Sequence, residues 1–266
     1  MAAPDALSDF AAFPFSHGGA ERTVYRKGSG PAVIVMHEVP GIIPEAARFA
    51  RIVADAGFTV FMPNLFGTPG KPVSAGYGLR EMARACISRE FHVLAENRSS
   101  PITEWLRALA KRAYDEIGGR GVGAIGMCLT GNFALTMTLD PWVVAPVLSQ
   151  PSLPFPITRR KAATLHATAE AVANMRRRAA DEGLALLGLR FAGDRVCRRE
   201  RFATLAREFG AAFEAIELPD AAANPEAPKV LGRPHAVLTL ELIDRAGEPT
   251  RAALDRVIGF FKERLS

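Results

Sequence analysis

Cysteine is scarce in this chain. Its 266 residues include three, Cys86, Cys128 and Cys197, set far apart. That spacing gives neither a disulfide framework nor a Cys-x-x-Cys metal pattern, and it fits a reducing cytoplasm. Aromatic residues are only 8% of the chain, too few to interleave with basic clusters as a nucleic-acid surface requires. The densest clusters, Arg159-Arg160-Lys161 and Arg176-Arg177-Arg178, read instead as solvated helix faces. No apolar run is long enough to cross a bilayer. The stretch Met1 to Phe15 lacks the basic region and apolar core of a secretory signal. Neither nucleic acid nor membrane is therefore expected as a partner. What remains is ordinary for a soluble globular chain: 48% apolar, 23% charged, net charge +5.

Strand and helix patterns alternate along the whole length. Ala32 to His37, Thr59 to Met62, Val122 to Met127, Val143 to Leu148, Leu184 to Phe191 and Phe213 to Leu218 read as strands. Between them lie helical stretches: Pro44 to Ala56, closed by Gly57, and Ser100 to Ile117, with Ser100 as cap and Pro101 in the first turn. Phe133 to Leu139, Ala162 to Ala180, Arg198 to Phe209 and Thr250 to Leu265 are also helical. This alternation predicts an α/β fold with a mostly parallel central sheet and helices on both faces, formed by residues 1–266 as one domain. Thr68 to Gly78 and Asp220 to Pro234 look irregular. Long loops leaving strand ends usually line the site, so both are candidate substrate walls.

The most informative stretch is Gly126-Met127-Cys128-Leu129-Thr130-Gly131. A strand that turns sharply into a helix around one reactive residue, flanked by small residues, is a nucleophile elbow. The reactive residue here is a cysteine, which attacks as thiolate and needs a base or a field to make it one. In this architecture the chain order is nucleophile, acid, histidine. Two histidines follow Cys128: His166, on an alanine-rich stretch where solvent exposure is expected, and His235, between the last strand and the last helix. His235 is the candidate base. Asp194, in Phe191-Ala192-Gly193-Asp194, is the favoured acid, and Asp220 is its rival. Leu129 and Val39 are the expected amide donors to an oxyanion. Glu38 stands either as an exposed loop carboxylate or beside Cys128, where like charge would oppose the thiolate. Cys86 reads as helix packing and Cys197 as incidental to the acid loop.

With these residues in place, the chain resembles the dienelactone hydrolase family, or carboxymethylenebutenolidases, within the α/β-hydrolases. The matching pieces are His37-Glu38-Val39-Pro40-Gly41, the Cys128 elbow, Gly193-Asp194 and His235. The resemblance implies an α/β-hydrolase fold and a Cys128–His235–Asp194 triad. It also implies a Glu38 that contacts the resting thiol and takes part in making the thiolate. The implied activity is that of a carboxylic ester hydrolase acting on small lactones or activated esters through a thioacyl-enzyme, with no metal or cofactor. A thioesterase or acyltransferase with the same triad, and a non-catalytic module that binds small molecules or senses oxidants, remain open alternatives. Two departures stand out. Thr130 replaces an elbow glycine, and Thr239 stands where the family has a substrate-binding arginine. Arg80, Arg84 and Arg233 are the candidates to take over that arginine's role. The segment 151–183 is longer than a minimal member needs, so the pocket is expected to be reshaped.

Overall fold

The computed structural model of the chain describes residues 4–87, 100–230 and 232–266, with backbone alone for 85–87. The side chain of Cys86 thus lies outside the described residues. Eight strands form one sheet: β1 (Ala11–His17), β2 (Ala20–Lys27), β3 (Ala32–Met36), β4 (Thr59–Pro63), β5 (Val122–Met127), β6 (Val143–Ser149), β7 (Leu186–Phe191) and β8 (Phe213–Leu218). Their spatial order is β1-β2-β4-β3-β5-β6-β7-β8. All neighbours from β4 to β8 run parallel, whereas β1 and β2 pair antiparallel with each other and β2 with β4. Strands β3 to β6 are mainly apolar and almost wholly buried because helices cover both faces.

The helices are α1 (Pro44–Asp55), α2 (Ala75–Ile87), α3 (Pro101–Ile117), α4 (Gly131–Met137), α5 (Arg159–Ala163), α6 (Ala169–Asp181), α7 (Arg199–Phe209) and α8 (Pro249–Leu265). Strand alternation sorts them. Val33 and Val35 of β3 pack with Phe49 and Val53 of α1 and with Leu254 and Phe261 of α8. Ala32, Ile34 and Met36 pack with Leu106 and Leu109 of α3 and Phe133 of α4. Leu148 and Leu186 cover the same side farther along, against Met175 of α6 and Phe202 and Leu205 of α7. Full burial of each such side chain contributes about 1.5–3 kcal/mol.

Several expectations change. The β1–β2 hairpin carries no strong periodic signal, because β1 is largely exposed. It is held by Phe15, edge-on to Trp105 at 5.1 Å, and by Trp105 Nε1 donating to Ala20 O at 3.1 Å. Ser100 stands at the N-cap of α3, but its hydroxyl meets Thr103 Oγ1 at 3.0 Å rather than a backbone amide. The segment expected to be irregular after Thr68 becomes helix α2 from Ala75. Ala162 to Ala180 is not one helix. It breaks between α5 and α6, and His166 in the break is buried with φ +55°, contrary to the expected exposure. A carbonyl-rich corner also overrides the solvated reading of Arg178. Its Nη1 donates to the carbonyls of Thr138, Asp140 at 2.7 Å and Val143 at 3.2 Å, and Nη2 donates to Pro141 at 3.1 Å. Arg176 and Arg177 stay exposed.

Replacing Arg178 with Met keeps much of the apolar stem and removes the guanidinium donors from that corner, where Val143 N–H on Asp140 O at 3.2 Å remains. Orphaned buried carbonyls cost about 1–3 kcal/mol, so Arg178→Met should lower the urea unfolding midpoint by an amount in that range. An unchanged midpoint would mean the carbonyls reach water instead.

Candidate active site

β5 leads directly into Cys128, whose φ is +55°. A turn of 3₁₀ helix, Cys128–Thr130, then leads into α4. A non-glycine residue held there costs on the order of 1–3 kcal/mol and persists only when its surroundings enforce it. Those surroundings are tight. A Cβ on Gly126 would stand 2.1 Å from Thr130 O, and one on Gly131 would stand 2.7 Å from Pro151 Cα. Thr130 does more than fill the family's glycine position. Its Oγ1 accepts Met127 N–H at 2.8 Å and lies 2.9 Å from Met127 O and 3.1 Å and 3.2 Å from the carbonyl oxygens of Met36 and His37. With one proton it donates to one of the three at a time, and two of them belong to the chain that leads into the Glu38 loop.

His235 arrives from the segment beyond β8 and is buried beside Cys128, and both line one cavity. Its Nδ1 and Asp194 Oδ2 are 2.7 Å apart. Asp194 Oδ1 accepts the amides of Val196 at 2.7 Å and Cys197 at 3.0 Å. Burial by itself would lower the His235 pKa. The charge of Asp194, the Cys128 sulfur and the Asp194 hydrogen bond outweigh it, and His235 holds its proton well above the usual imidazole range. Nε2 has no partner of normal hydrogen-bond geometry, so the sulfur acts on it through proximity and charge. The rival acid, Asp220, has another place. It accepts Gly193 N–H at 2.7 Å and pairs with Arg233 at 3.2 Å, bracing the turn that carries Asp194. Cys197 is buried, and burial pushes its thiol up to about 12.

Glu38 follows β3 and is buried on the cavity wall, not exposed. Its Oε1 accepts the Thr239 hydroxyl and its Oε2 the Gln150 amide at 3.4 Å. Among the described residues no hydrogen bond joins Glu38 to Cys128; the carboxyl is turned to Thr239 and Gln150. Burial raises its pKa against the pull of Thr239, His235 and Gln150. Gln150 follows β6 and is itself held at φ +36°. No local sequence pattern marks it. His37 beneath is wholly buried, its Nδ1 donating to Glu38 O and its Nε2 accepting Leu65 N–H, both at 3.0 Å. The buried ring is therefore the neutral Nδ1–H tautomer, and burial pulls its pKa down to about 4.

The cavity over Cys128 has a volume of about 1030 Å³. Its walls come from α2, from the loop after β6 and from the segment 224–230, which agrees with both stretches marked as walls. The chosen arginines are not on it. Arg80 and Arg84 both bind the Glu81 carboxylate at 3.0 Å, and Arg233 is turned to Asp220. Arg195, Arg198 and Lys229 line it instead. Val39 stands on the wall, and Leu129 sits where the first amides of a helical turn lack intrahelical partners. Among the described residues no group of three His, Cys, Asp or Glu could hold a metal ion, and no helix is long and apolar enough to cross a membrane.

The model of the dienelactone hydrolase family matches residues 21–172, more than half of the chain. No curated protein sequence matches. Solved structures similar to the chain include a dienelactone hydrolase-like promiscuous phosphotriesterase from metagenomic libraries, 17% identical, covering 97% of this chain and 98% of that one with a TM-score of 0.61. A dienelactone hydrolase from Anabaena variabilis is 12% identical over 97% and 98% of the two chains, with a TM-score of 0.60. A soluble variant of monoglyceride lipase from Saccharomyces cerevisiae is 9% identical over 100% and 96%, with a TM-score of 0.57. At these identities the likeness establishes the α/β-hydrolase fold.

The His37 environment sets an acid limit. The unfolded ring titrates near 6.5 and the folded one near 4, so between those values the unfolded chain binds more protons. Stability should fall by up to about 3 kcal/mol as pH drops through that window. His235, raised above 6.5, has its own loss of stability on the alkaline side. Urea unfolding at pH 7 and pH 4 measures the effect, and His37→Gln should flatten it.

Proposed function

The chain belongs to the dienelactone hydrolase family, and from that premise we propose that it hydrolyses carboxylic esters or lactones with Cys128 as nucleophile, His235 as acid–base and Asp194 as the group that orients the imidazole. The observation that carries this reading is the buried His235–Asp194 hydrogen bond of 2.7 Å beside a cysteine on a left-handed elbow. A thiol passing its proton to His235 becomes a thiolate next to an imidazolium, a pair that Asp194 stabilises. The thiolate adds to the substrate carbonyl carbon. The oxyanion that forms is met by the amides of Leu129 and Val39. Collapse breaks the ester C–O bond, and the leaving alkoxide takes the proton from His235 Nε2. Water then gives a proton to Nε2 and attacks the thioester. The acid leaves and the thiolate returns.

Glu38 acts on this cycle through charge. When ionised it favours the His235 imidazolium and opposes a second negative charge at Cys128, and it serves as the thiol's proton acceptor only after leaving Thr239. Arg195, Arg198 and Lys229, rather than Arg80, Arg84 and Arg233, are the cations that line the cavity. The same reading places the chain in a reducing cytoplasm, where the thiol stays free.

Cys128→Ala should abolish turnover of p-nitrophenyl acetate, and residual turnover at the wild-type rate would remove Cys128 from the mechanism. Loss of the orienting acid costs about 10⁴-fold in kcat in triads of this kind. Asp194→Asn should therefore lower kcat by orders of magnitude and Asp220→Asn far less; the reverse order would transfer the role. For Glu38, iodoacetamide alkylation of Cys128 near neutral pH is the readout. Glu38→Gln should speed it by removing a like charge, and a slower rate would show that Glu38 acts mainly by holding the His235 proton.

A further inference from the structure

Among the described residues three large apolar side chains are exposed: Leu79 at 74%, Ile157 at 69% and Val230 at 38%. All three line the cavity that ends on Cys128. They come from separate parts of the chain: α2, the loop between β6 and α5, and the segment before His235. Exposed apolar residues scattered singly need no explanation, whereas a contiguous apolar patch marks a binding site. Here every one of them converges on a single mouth. Below the rim the wall stays apolar, through Met82, Phe155, Val196, Ala236 and Leu240 down to the sulfur.

Charge on the wall is balanced rather than set for an anion. The carboxylates of Glu38, Glu45 and Glu226 line it together with Arg195, Arg198 and Lys229. Lys229 Nζ is already engaged by the Glu241 carboxylate at 2.9 Å and by Asn224 O at 2.8 Å. Thr239, at the position expected to hold a carboxylate-binding arginine, gives its hydroxyl to Glu38. The cavity's volume of about 1030 Å³ lies at the top of the range of roughly 300–1,000 Å³ usual for small-molecule sites. An acetyl group or a small lactone ring would leave most of it empty.

We propose that this cavity and its rim of Leu79, Ile157 and Val230 bind an uncharged aliphatic acyl chain of octanoyl length or longer, so that the substrates are hydrophobic esters rather than carboxylate-bearing lactones. The assignment rests on Cys128 as nucleophile. The chain lies along the apolar wall with its carbonyl at the sulfur, and its far end leaves between the three rim side chains.

The test is kcat/KM for p-nitrophenyl acetate, pentanoate, octanoate and hemiglutarate with the wild type, Cys128→Ala and the double variant Leu79→Asp/Ile157→Asp. Burial of a methylene is worth roughly fourfold in binding, so octanoate should exceed acetate by at least about tenfold. Pentanoate should exceed hemiglutarate, which has the same length and a terminal carboxylate. The double variant should cut the octanoate-to-acetate ratio at least about fivefold. A flat or falling length profile, or a preference for hemiglutarate, overturns the acyl site if Cys128→Ala is dead with every ester. If Cys128→Ala retains full turnover, the nucleophile reading fails instead, and the acyl site is judged by binding alone. Calorimetry with decan-2-one, which has no bond to hydrolyse, supplies that measurement. Binding that weakens in the double variant supports the site, and absent or equal binding overturns it.

Discussion

The left-handed backbone at Cys128 is the constraint on which the rest of the site depends. A strand cannot deliver a side chain to the floor of a cavity and start a helix in the next residue without such a bend. The bend survives because two glycines let backbone come within contact of Thr130 and Pro151, where any Cβ would collide. Thr130 then adds a hydroxyl that spans the ends of β5 and β3. Strain at one residue is thereby offset by packing and hydrogen bonds from three neighbouring elements. The outcome is a sulfur whose position relative to the Glu38 loop is fixed by the sheet, not by a flexible loop.

Buried arginines hold the loops around that fixed point. Arg190 reaches from β7 to the carbonyls of Cys197 at 2.9 Å and Ala192 at 3.0 Å, closing the turn on which Asp194 sits. Arg201 of α7 donates to the carbonyls of Pro151, Pro154, Lys161 and Thr164, which pins the loop that supplies Phe155 and Ile157 to the cavity. Burial pulls its guanidinium down to about 10, still well above neutrality. A guanidinium can satisfy several carbonyls at once, so one side chain replaces the backbone pairing that an irregular loop lacks. The acid loop and the cavity wall are therefore anchored to the same region of the molecule, between β7 and α7.

Much of the scaffold is legible in the residues themselves. Strands β3 to β6 are mainly apolar runs bounded by turn residues, and α1 and α3 show helical spacing after a proline in the first turn. These are local signals and they survive folding. The elbow is legible for the same reason, since small residues at fixed offsets around Cys128 describe a bend. The β1–β2 hairpin is not, because its strands are mostly exposed and are stabilised by Trp105 far along the chain. Nor was the burial of His166 or Arg178 legible. An alanine-rich, arginine-rich stretch looks solvated until the chain between α4 and β6 presents it with clustered carbonyls. Arg190 does carry a sign in the sequence: an arginine inside Leu186 to Phe191, an otherwise apolar strand, requires buried acceptors.

The sequence by itself determined the strand–helix order, the position of the bend and the chain order of thiol, carboxylate and imidazole, because each is written in neighbouring residues. Only the tertiary structure decided which carboxylate reaches His235, that Glu38 turns to Thr239 and Gln150, and which cations face the cavity. Those outcomes hang on contacts between residues tens to hundreds of positions apart. At that range, side-chain direction is set by how loops from four different strand ends pack on one another. No spacing rule along the chain carries that information.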